Sequence, residues 1–367
     1  MPSRRHWIQQ LALAGAGLGI APALEALPAT RRPDSQQPIL LNSNENAFGP
    51  SPKTIRAMQE LASKSNRYPD DYLPEFRKKL SSHWGLQPEH LVMGGGATEI
   101  LALICQMLGA EKKGTVVTAT PSYQVWQRQA AVCGINTQAI PLNADRQLDL
   151  KAMLAAINAD TRMLYLCNPN NPTGGVVPIE QLRPIALEAS KKTLVIVDEA
   201  YNEFAGLTSL AADAAQNPNL IVIKTFSKVY GLAGARLGYA LGHPDTINKI
   251  AALQGWRDVS VSMVTCAAAS AALDDQAFVQ DCIRRTARNR ERCIQTFRDL
   301  GLPYLPSQTS FMLFDIGKLK GDFAQRMQAE NIMVQYRDHF GGKWCRVSMG
   351  TEPEMDAFCK ALRKISA

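Results

Sequence analysis

Four polar segments of this sequence could do chemistry together, because each lies at the end of an apolar run that predicts a buried strand. A glycine-rich turn, residues 94–99, follows the run 91–93, and asparagines and prolines, residues 168–174, follow the run 162–167. Asp198 ends the run 193–197, and Lys228 lies just beyond the run 220–223. In a parallel sheet, the carboxyl ends of the strands meet at one edge, where ligands bind. The pattern therefore predicts one site built from all four segments.

Each segment has its own chemistry. Backbone N–H groups of the glycine-rich turn, at the start of a helix, can hold an anion. The carboxylate of Asp198, at the tip of a buried strand, needs a cationic partner. Desolvation lowers the pKa of a lysine such as Lys228, beside small hydroxyls, and makes its amine a nucleophile for carbonyls. Singly, these features are equally typical of a tight turn, a helix N-cap or a salt bridge; jointly, they suit pyridoxal 5'-phosphate (PLP).

The surrounding pattern alternates strands and helices. Apolar strands are predicted near residues 91–93, 115–117, 162–167, 193–197 and 220–223, with helices between them. This is typical of an α/β fold with a mostly parallel sheet covered on both faces. After residue 257, two long helices precede a strand at 310–314, and a helix, a strand and a last helix follow. We predict a signal and linker over 1–36, an N-terminal arm with a large domain over 37–256, and a small α+β domain over 257–367.

Composition excludes several classes of protein. The chain has 367 residues, 46% of them hydrophobic, which excludes disorder and a small disulfide scaffold. A net charge of +7 is too small to indicate a nucleic-acid partner. The eight cysteines form no C-x-x-C pair and are predicted to be buried free thiols. The five histidines lack helical ligand spacing, so no metal site is predicted.

The N-terminus resembles an export signal. Arg4-Arg5 precedes an apolar stretch, residues 11–20, and the small residues Ala21-Pro22-Ala23. This order is that of a secretory signal, and the paired arginines resemble a twin-arginine signal for folded proteins. We expect a periplasmic location; if the segment is only a tail or a packed helix, the protein stays in the cytoplasm. The apolar stretch is too short to span a bilayer well, so no stable membrane insertion is expected.

The order and spacing of the motifs resemble the class I/II aminotransferases of fold type I, and within them the histidinol-phosphate aminotransferase group. Six segments carry this resemblance: residues 41–46, 67–70, 167–174, 198–201, 225–228 and 346–351. The resemblance extends from about residue 39 to the end of the chain. It implies an aspartate aminotransferase-like fold with a large PLP-binding domain, transamination between an L-α-amino acid and a 2-oxo acid, and a homodimer.

The resemblance also implies roles for individual residues at the cofactor. Lys228 would be the Schiff-base lysine and the proton shuttle, and Asp198 would pair with the pyridine nitrogen. Asn171 and Tyr201 would hydrogen-bond the phenolic oxygen of the ring. The cofactor ring would stack on Tyr123; its phosphate would bind Ala97, Thr98, Thr225, Ser227 and Arg236, with Tyr68 reaching in from the other subunit.

At the substrate, the resemblance implies that Arg346 binds the α-carboxylate and that residues 44–49, including Asn46, line the mouth. Three departures from the pattern concern the substrate. Gln335 stands where the histidinol-phosphate group usually has an arginine, with Arg337 two residues later; Ala47 replaces a proline; and residues 258–262 differ from the usual stretch. We therefore predict an aminotransferase without committing to histidinol phosphate. A PLP-dependent decarboxylase of the threonine-phosphate type and a non-catalytic PLP-binding protein are the alternatives.

Overall fold

The computed structural model describes residues 37–111 and 113–366, so the predicted export signal and linker lie outside the described residues. The eleven strands of this part are β1 (Ile39–Leu41), β2 (Leu91–Gly94), β3 (Gly114–Thr120), β4 (Ile135–Pro141), β5 (Thr161–Cys167), β6 (Leu194–Asp198), β7 (Leu220–Thr225), β8 (Gly238–Leu241), β9 (Phe311–Asp315), β10 (Ile332–His339) and β11 (Gly342–Ser348).

The helices of the same residues surround and connect these strands. They are α1 (Pro52–Ala62), α2 (Tyr72–His83), α3 (Ala97–Glu111), α4 (Gln127–Val132), α5 (Leu150–Ala155), α6 (Ile179–Ser190), α7 (Asn202–Ala205), α8 (Ala211–Ala215), α9 (Pro244–Ala251), α10 (Met263–Asp274), α11 (Gln276–Asp299), α12 (Phe323–Ala329) and α13 (Glu352–Ser366), with one turn of 3-10 helix at Pro88–His90.

The larger sheet has seven strands in the order β2-β8-β7-β6-β5-β3-β4. Its neighbouring strands are parallel except β8, which runs antiparallel to both β2 and β7. Alternate residues of the inner strands are buried on opposite faces: in β6, Val195 and Val197 belong to one hydrophobic cluster, and Ile196 belongs to another. The prediction of a mostly parallel sheet covered on both faces is confirmed.

Two strands of this sheet were not predicted from the sequence. Strand β4 lies at the edge and carries exposed polar residues, so it lacks an apolar run. Strand β8 is only four residues long and follows a glycine-rich segment. Neither strand therefore shows the long apolar run that identifies a buried strand in the sequence.

The smaller sheet has four strands in the order β1-β10-β11-β9. One strand was predicted between the last two helices, and this is wrong: β10 and β11 form an antiparallel hairpin there. Phe340 and Gly341 join them, both with positive φ (54° and 76°), which is the geometry of a two-residue type I′ turn. Phenylalanine is not a usual residue for that position, so the turn was not recognised.

The two sheets are not each built from one continuous part of the chain. Strand β1 precedes the large sheet in sequence but pairs in parallel with β10 of the small one. Side chains from Val261 to Cys282 pack in the cluster beneath the large sheet, whereas those from Cys293 to Ile365 form the small-sheet cluster. The predicted boundary between residues 256 and 257 stays a prediction.

Two further predictions concern the state of the cysteines and insertion into a membrane. All eight cysteines are free thiols, and seven of them are buried. Among the described residues, none of the helices combines the length and the apolarity of a membrane span.

Candidate active site

The carboxyl ends of the parallel strands and the inner face of the small sheet enclose one cavity of about 830 Å³. Eleven of the thirteen residues predicted for the site border it, namely Ala97, Thr98, Tyr123, Asn171, Asp198, Tyr201, Thr225, Ser227, Lys228, Arg236 and Arg346. We call Asp198, Tyr201 and Lys228 the cavity floor. We call Gln335, Arg337, His339 and Arg346, on β10 and β11, the arginine wall.

Asp198 lies at the end of β6 and is 3% exposed. Its Oδ1 accepts a hydrogen bond from the backbone N–H of Ala200 at 3.0 Å, and its Oδ2 accepts one from the hydroxyl of Tyr165 at 2.6 Å. Burial raises the pKa of this carboxyl, while the Tyr165 hydrogen bond opposes that shift. A cationic ring nitrogen beside Asp198 would favour its ionised form, so the carboxylate suits a pyridinium partner.

Lys228 follows β7 and reaches back into the cavity. Its Nζ donates to the backbone oxygen of Asn44 at 3.1 Å and lies 5.5 Å from the ring centre of Tyr201. Burial, followed by the positive charge of Arg346, lowers the pKa of Lys228 to about 8. A sizeable fraction of this amine is therefore neutral near pH 8, and a neutral amine can attack a carbonyl or accept a proton.

Tyr201 and Asn44 connect the floor to the small sheet. The Tyr201 hydroxyl accepts a hydrogen bond from Asn44 Nδ2 at 3.0 Å, and burial raises its pKa. The backbone N–H of Asn44 donates to Ser348 Oγ at 2.8 Å, at the end of β11. Asn44 has a φ of 54°, a left-handed conformation that asparagine tolerates better than most residues.

The start of α3 forms an anion cradle. This 15-residue helix begins at Ala97, directly after the glycine-rich turn, so its first N–H groups and positive dipole end face the cavity. A Cβ on Gly96, which has a φ of 95°, would collide with the Arg236 guanidinium. The Gly95 N–H is already bonded to the Glu99 carboxylate, which leaves Ala97 and Thr98 as the cavity-facing part of the turn.

Hydroxyls and an arginine complete the cradle. The Thr98 hydroxyl is 3.1 Å from that of Tyr123, and the Ser227 hydroxyl accepts from that of Thr225 at 3.0 Å. Arg236 Nη2 donates to the backbone oxygen of Gly95 at 3.1 Å, which holds the guanidinium at the turn. This donor set fits a phosphate monoester.

Two hydrogen bonds hold the guanidinium of Arg346 in the arginine wall. Its Nη1 donates to Asn171 Oδ1 at 2.7 Å and its Nη2 to the backbone oxygen of Asn42 at 3.0 Å. Its Nε is buried and has no partner among the described residues. The guanidinium of Arg346 borders the cavity, and its planar fork of donors suits an incoming carboxylate. Asn171, predicted to contact the cofactor, holds Arg346 here.

The rest of the arginine wall comes from one face of β10. Gln335, Arg337 and His339 alternate with residues that point away from the cavity, and all three border it. Burial, followed by the charges of Arg337 and Arg346, lowers the pKa of His339, which therefore favours the neutral form.

The other two departures from the aminotransferase pattern lie outside the cavity. Neither Ala47 nor the segment 258–262 borders it. Within that segment, Asp258 is fully buried, pairs with Arg77 and accepts a hydrogen bond from the backbone N–H of Met93 at 2.7 Å. This carboxylate therefore supports β2 of the large sheet.

Two predicted site residues do not join the cavity. The Asn46 amide donates to the backbone oxygen of Val229 at 2.8 Å and accepts from the N–H of Phe48 at 3.0 Å. Asn46 is not among the residues that border the cavity, and its role at the substrate stays a prediction. Tyr68 is 73% exposed, with its ring centre 6.0 Å from that of Trp256. Its contact with a second subunit stays a prediction.

Sequence reasoning missed Tyr165, which holds the second oxygen of Asp198. Tyr165 lies on β5, two residues before Cys167, which pairs with Asp198 across the sheet. Its side chain therefore shares a face with Asp198 and is fully buried. The available signal was a tyrosine inside an apolar strand, next to the strand that ends in the carboxylate; a buried hydroxyl needs a partner.

Known protein families and curated sequences both show that this chain is similar to aminotransferases. The family described as Aminotransferase class I and II matches residues 36–362. A histidinol-phosphate aminotransferase of Halalkalibacterium halodurans is 33% identical over 334 residues, which cover 90% of this chain and 89% of that protein. The family match spans both sheets and every residue of the cavity.

Solved structures agree with this match. The crystal structure of histidinol-phosphate aminotransferase from Sinorhizobium meliloti in complex with pyridoxal-5'-phosphate has a TM-score of 0.82 and 30% identity, covering 90% of this chain and 92% of that one. A mutant of aspartate aminotransferase from Thermus thermophilus has a TM-score of 0.76 at 22% identity, covering 89% and 92% of the two chains. The second likeness concerns the fold alone and confirms the predicted aspartate aminotransferase-like fold.

Proposed function

The chain belongs to the class I and II aminotransferases, and from that premise we propose that Lys228, Asp198 and Arg346 are the residues through which it moves an amino group from an L-α-amino acid to a 2-oxo acid. The protein is a PLP-dependent aminotransferase, as predicted. One observation carries the assignment of roles: a lysine amine, a buried carboxylate and a half-buried guanidinium border the same cavity.

Bound PLP supplies an aldehyde that bonds to primary amines and a protonated ring that draws electrons from the substrate α-carbon. The Asp198 carboxylate keeps the proton on the ring nitrogen by its negative charge, and the bonds from Ala200 and Tyr165 fix its two oxygens. The anion cradle at Ala97 and Thr98, with Ser227 and Arg236, binds the phosphate.

The remaining residues act on the substrate. Arg346 would bind the α-carboxylate through its guanidinium at the cavity, while Asn171 and the backbone oxygen of Asn42 keep that guanidinium in place. With PLP bound, the Nζ of Lys228 in its neutral form would accept the substrate α-proton and give it back during the transfer. Tyr201, held by Asn44, hydrogen-bonds the phenolic oxygen of the ring.

An isotope experiment tests this function directly. We expect the purified PLP-loaded enzyme to transfer the ¹⁵N amino group of a labelled L-amino acid to 2-oxoglutarate or another 2-oxo acid, with the carboxyl carbon retained. Release of labelled carbon dioxide would instead favour the decarboxylase alternative. Absence of turnover across a full panel of L-amino acids and 2-oxo acids, with PLP firmly bound, would favour a non-catalytic PLP-binding protein.

Histidinol phosphate is a second candidate donor, because a relative and a structural neighbour carry that name. Gln335 weighs against it, since an amide lacks the charge of the arginine usual at that position. Comparing L-histidinol phosphate with L-histidine and L-glutamate as donors in the same assay decides between them. A kcat/KM for L-histidinol phosphate well above those for both amino acids would establish it as the donor.

We also propose that the enzyme works as a homodimer. Tyr68 and Trp256 support this, because they form an aromatic contact in which both side chains are largely exposed (73% and 53%). A second subunit that covers them would bring Tyr68 to the partner's phosphate cradle. Sedimentation of the PLP-loaded protein tests the assembly, and Tyr68→Phe should weaken PLP binding without dissociating the dimer. A monomer with full activity contradicts the proposal.

Export to the periplasm by the twin-arginine route is a further proposal, supported by Arg4-Arg5 and the small residues 21–23. PLP is made in the cytoplasm, so export of the folded, loaded enzyme avoids the need to find cofactor outside. Cell fractionation should recover a shortened form in the periplasm, and replacing Arg4 and Arg5 by lysine should retain the precursor in the cytoplasm. A cytoplasmic wild-type protein with an intact N-terminus contradicts export.

A further inference from the structure

We propose that Asp258, together with Arg77 and Gln254, is a positioning residue for the anion cradle and thereby sets the affinity of the enzyme for the phosphate of its cofactor. We call Gln254, Asp258 and Ser260 the edge clamp. None of these residues borders the cavity, so the clamp acts through the backbone that carries the cradle. The inference rests on the proposed binding of the cofactor phosphate at the start of α3.

Strand β2, which leads into the cradle, needs partners on its outer side. It is the edge strand of the large sheet, beside β8. An edge strand presents backbone N–H and C=O groups that no neighbouring strand satisfies. Here Gln254 Nε2 donates to the backbone oxygen of Met93 at 2.8 Å, and Asp258 Oδ1 accepts from the Met93 N–H at 2.7 Å. Clamp side chains therefore hold both backbone groups of Met93, the residue that directly precedes the glycine-rich turn.

A second set of bonds holds the turn itself. Ser260 Oγ donates to Glu99 Oε1 at 2.6 Å, and the other oxygen of Glu99 accepts from the N–H of Gly95. The backbone oxygen of Gly95 accepts from Arg236, which borders the cavity. The clamp thus reaches the chain before the turn, at Met93, and within it, at Gly95. This turn continues directly into α3, whose first N–H groups form the cradle.

Asp258 is the centre of the clamp because both of its oxygens are engaged. Its Oδ1 holds Met93, while its Oδ2 accepts from Arg77 Nε at 2.7 Å and from Arg77 Nη2. Its own backbone N–H donates to Gln254 Oε1 at 2.7 Å, so the two side chains that hold Met93 also hold each other. Asp258 is fully buried, and charge-assisted bonds from an arginine fix the orientation of its carboxylate. That orientation in turn fixes the end of β2.

The local backbone explains why an aspartate suits this position. Asp258 has a φ of 65°, a left-handed conformation that aspartate and asparagine adopt more readily than most residues. It belongs to the segment 258–262, which departs from the aminotransferase pattern, so the clamp is a feature of this sequence and not of that pattern. Asparagine has the same shape and the same tolerance of this φ, but it has one acceptor oxygen where aspartate has two.

A displaced cradle should weaken the binding of the phosphate more than that of the rest of the cofactor. The N–H groups at a helix start bind an anion only within hydrogen-bond distance, so a small shift of residues 95–98 weakens several bonds at once. Asp198 and Tyr201, which would contact the ring, follow β6 and make no hydrogen bond to the clamp among the described residues. A general loss of folded protein would instead lower the affinity for every ligand by the same factor.

The test compares two ligands that differ only in the phosphate, pyridoxamine 5'-phosphate and pyridoxamine. Neither carries the aldehyde that reacts with Lys228, so calorimetric titration of the full-length, cofactor-free enzyme measures binding alone. In the wild type, the phosphate should tighten binding by about 100-fold or more. Asp258→Asn should reduce this ratio by about 5- to 50-fold, because the single amide oxygen must release either Met93 or Arg77.

Asp275→Asn is the matched control. Asp275 is also buried and pairs with a cation, Lys53 at 3.3 Å, but this ion pair joins α1 to the junction of α10 and α11. It should keep the wild-type ratio. An unchanged ratio in Asp258→Asn, or an equal loss in Asp275→Asn, overturns the proposal. If Asp258→Asn folds too poorly to titrate, Arg77→Lys, which keeps the charge without the planar fork, takes its place, and an unchanged ratio there overturns the proposal as well.

Arg236→Gln separates this inference from the proposed function, because it removes a donor from the cradle itself. If the ratio falls in Arg236→Gln but not in Asp258→Asn, the clamp inference fails and the cradle stands. If the ratio falls in neither variant, the proposed phosphate site fails and the clamp inference fails with it. If the ratio falls in both variants while the PLP-loaded wild type transfers no amino group, the clamp inference stands and the proposed function fails.

Discussion

The cavity floor and the arginine wall hold their polar groups in different ways. On the floor, Asp198 is buried with both oxygens hydrogen-bonded, and Tyr201 is buried with its hydroxyl bonded to Asn44. On the wall, Arg346 has a buried Nε without a partner, and Arg337 has no partner among the described residues. The polar groups of Asp198 and Tyr201 on the floor are hydrogen-bonded within the protein, whereas the wall keeps donors without a partner among the described residues.

This difference separates reaction type from substrate choice. A floor whose groups are fixed by neighbouring strands favours one electrostatic arrangement, and with it one kind of cofactor chemistry. Within the described part of the chain, Gln335, Arg337 and His339 make no hydrogen bond to the floor residues, whereas Arg346 also acts on the floor because its charge lowers the pKa of Lys228. We therefore expect floor substitutions to affect every substrate alike, and wall substitutions to affect binding, either of all substrates or of one class.

Among the variants of the cavity floor, Lys228→Ala should cause the largest loss of activity. Loss of both the nucleophile and the proton carrier should reduce kcat by about 10⁴-fold or more. Borohydride treatment of the wild type should attach the cofactor to the peptide that contains Lys228, as mass spectrometry can show. Lys249→Ala, at an exposed lysine of α9, is the control and should behave as the wild type. Covalent trapping of PLP in Lys228→Ala would contradict the role of Lys228.

Asp198→Asn should reduce kcat by about 10²- to 10³-fold for every substrate, because a neutral amide cannot stabilise positive charge on the ring nitrogen. The variant should retain PLP through the anion cradle and Lys228. The measurement is kcat for several donors together with the bound PLP fraction. Near-normal turnover would show that Asp198 has only a structural part on the floor.

Arg346→Gln tests whether the arginine wall binds a group that all substrates share. We expect kcat/KM to fall by about 10- to 100-fold for all amino acids and 2-oxo acids, since every one of them carries the α-carboxylate. Arg346→Lys keeps the charge without the planar fork and should recover part of the loss. Steady-state kinetics over the donor panel measures this. An unchanged KM across the panel would remove Arg346 from substrate binding.

The pH dependence of cofactor capture isolates the amine of Lys228. Its pKa lies at about 8, so below that pH the amine is protonated and cannot attack the PLP aldehyde. The second-order rate of PLP binding to the cofactor-free enzyme should rise about tenfold per pH unit up to about pH 8 and then level off. Stopped-flow absorbance follows the reaction. A plateau that begins only near the usual lysine pKa would contradict the effect of burial.

Tyr165→Phe should give the smallest effect on the floor. Loss of the 2.6 Å hydrogen bond to Asp198 should lower kcat by about threefold to tenfold for all substrates, and the free energy of unfolding by about 1–3 kcal/mol. Tyr239→Phe is the matched control: this buried hydroxyl bonds Trp84 at 3.1 Å on the other side of the sheet. It should lose stability without the change in kcat. Equal kinetic losses in both variants would make Tyr165 a purely structural residue.

The sequence predicted the floor better than the wall, for a physical reason. Asp198 and Lys228 follow long apolar strands, and such runs identify both the strand and the polar residue at its end. Tyr165 was missed because a tyrosine within an apolar strand has the pattern of a core residue. Its partner becomes visible only when the register places Cys167 beside Asp198.

The arrangement of side chains in the arginine wall depends on strand pairing, which local sequence patterns do not encode. The hairpin of β10 and β11 was predicted as a single strand, so the sequence could not show that Arg337 and Arg346 share a face. Asn46 was assigned to the substrate by resemblance; its amide donates to the backbone oxygen of the distant Val229 and accepts from the N–H of Phe48, contacts that the local sequence does not show. Long-range register and loop contacts are set by tertiary packing, which a local reading of the chain does not contain.

The bond from Asn44 to Ser348 joins groups 304 residues apart in sequence. Asn44 also bonds Tyr201 and, through its backbone oxygen, Lys228, so a residue made early by the ribosome completes the floor and meets the wall. At about 5–20 residues per second, the ribosome reaches Ser348 roughly 15–60 s after Asn44. Nascent chains can form the large sheet during that interval, but the Asn44–Ser348 bond and the arginine wall arise only as synthesis ends. A chain interrupted before β11 therefore lacks both Arg346 and the partner of Asn44.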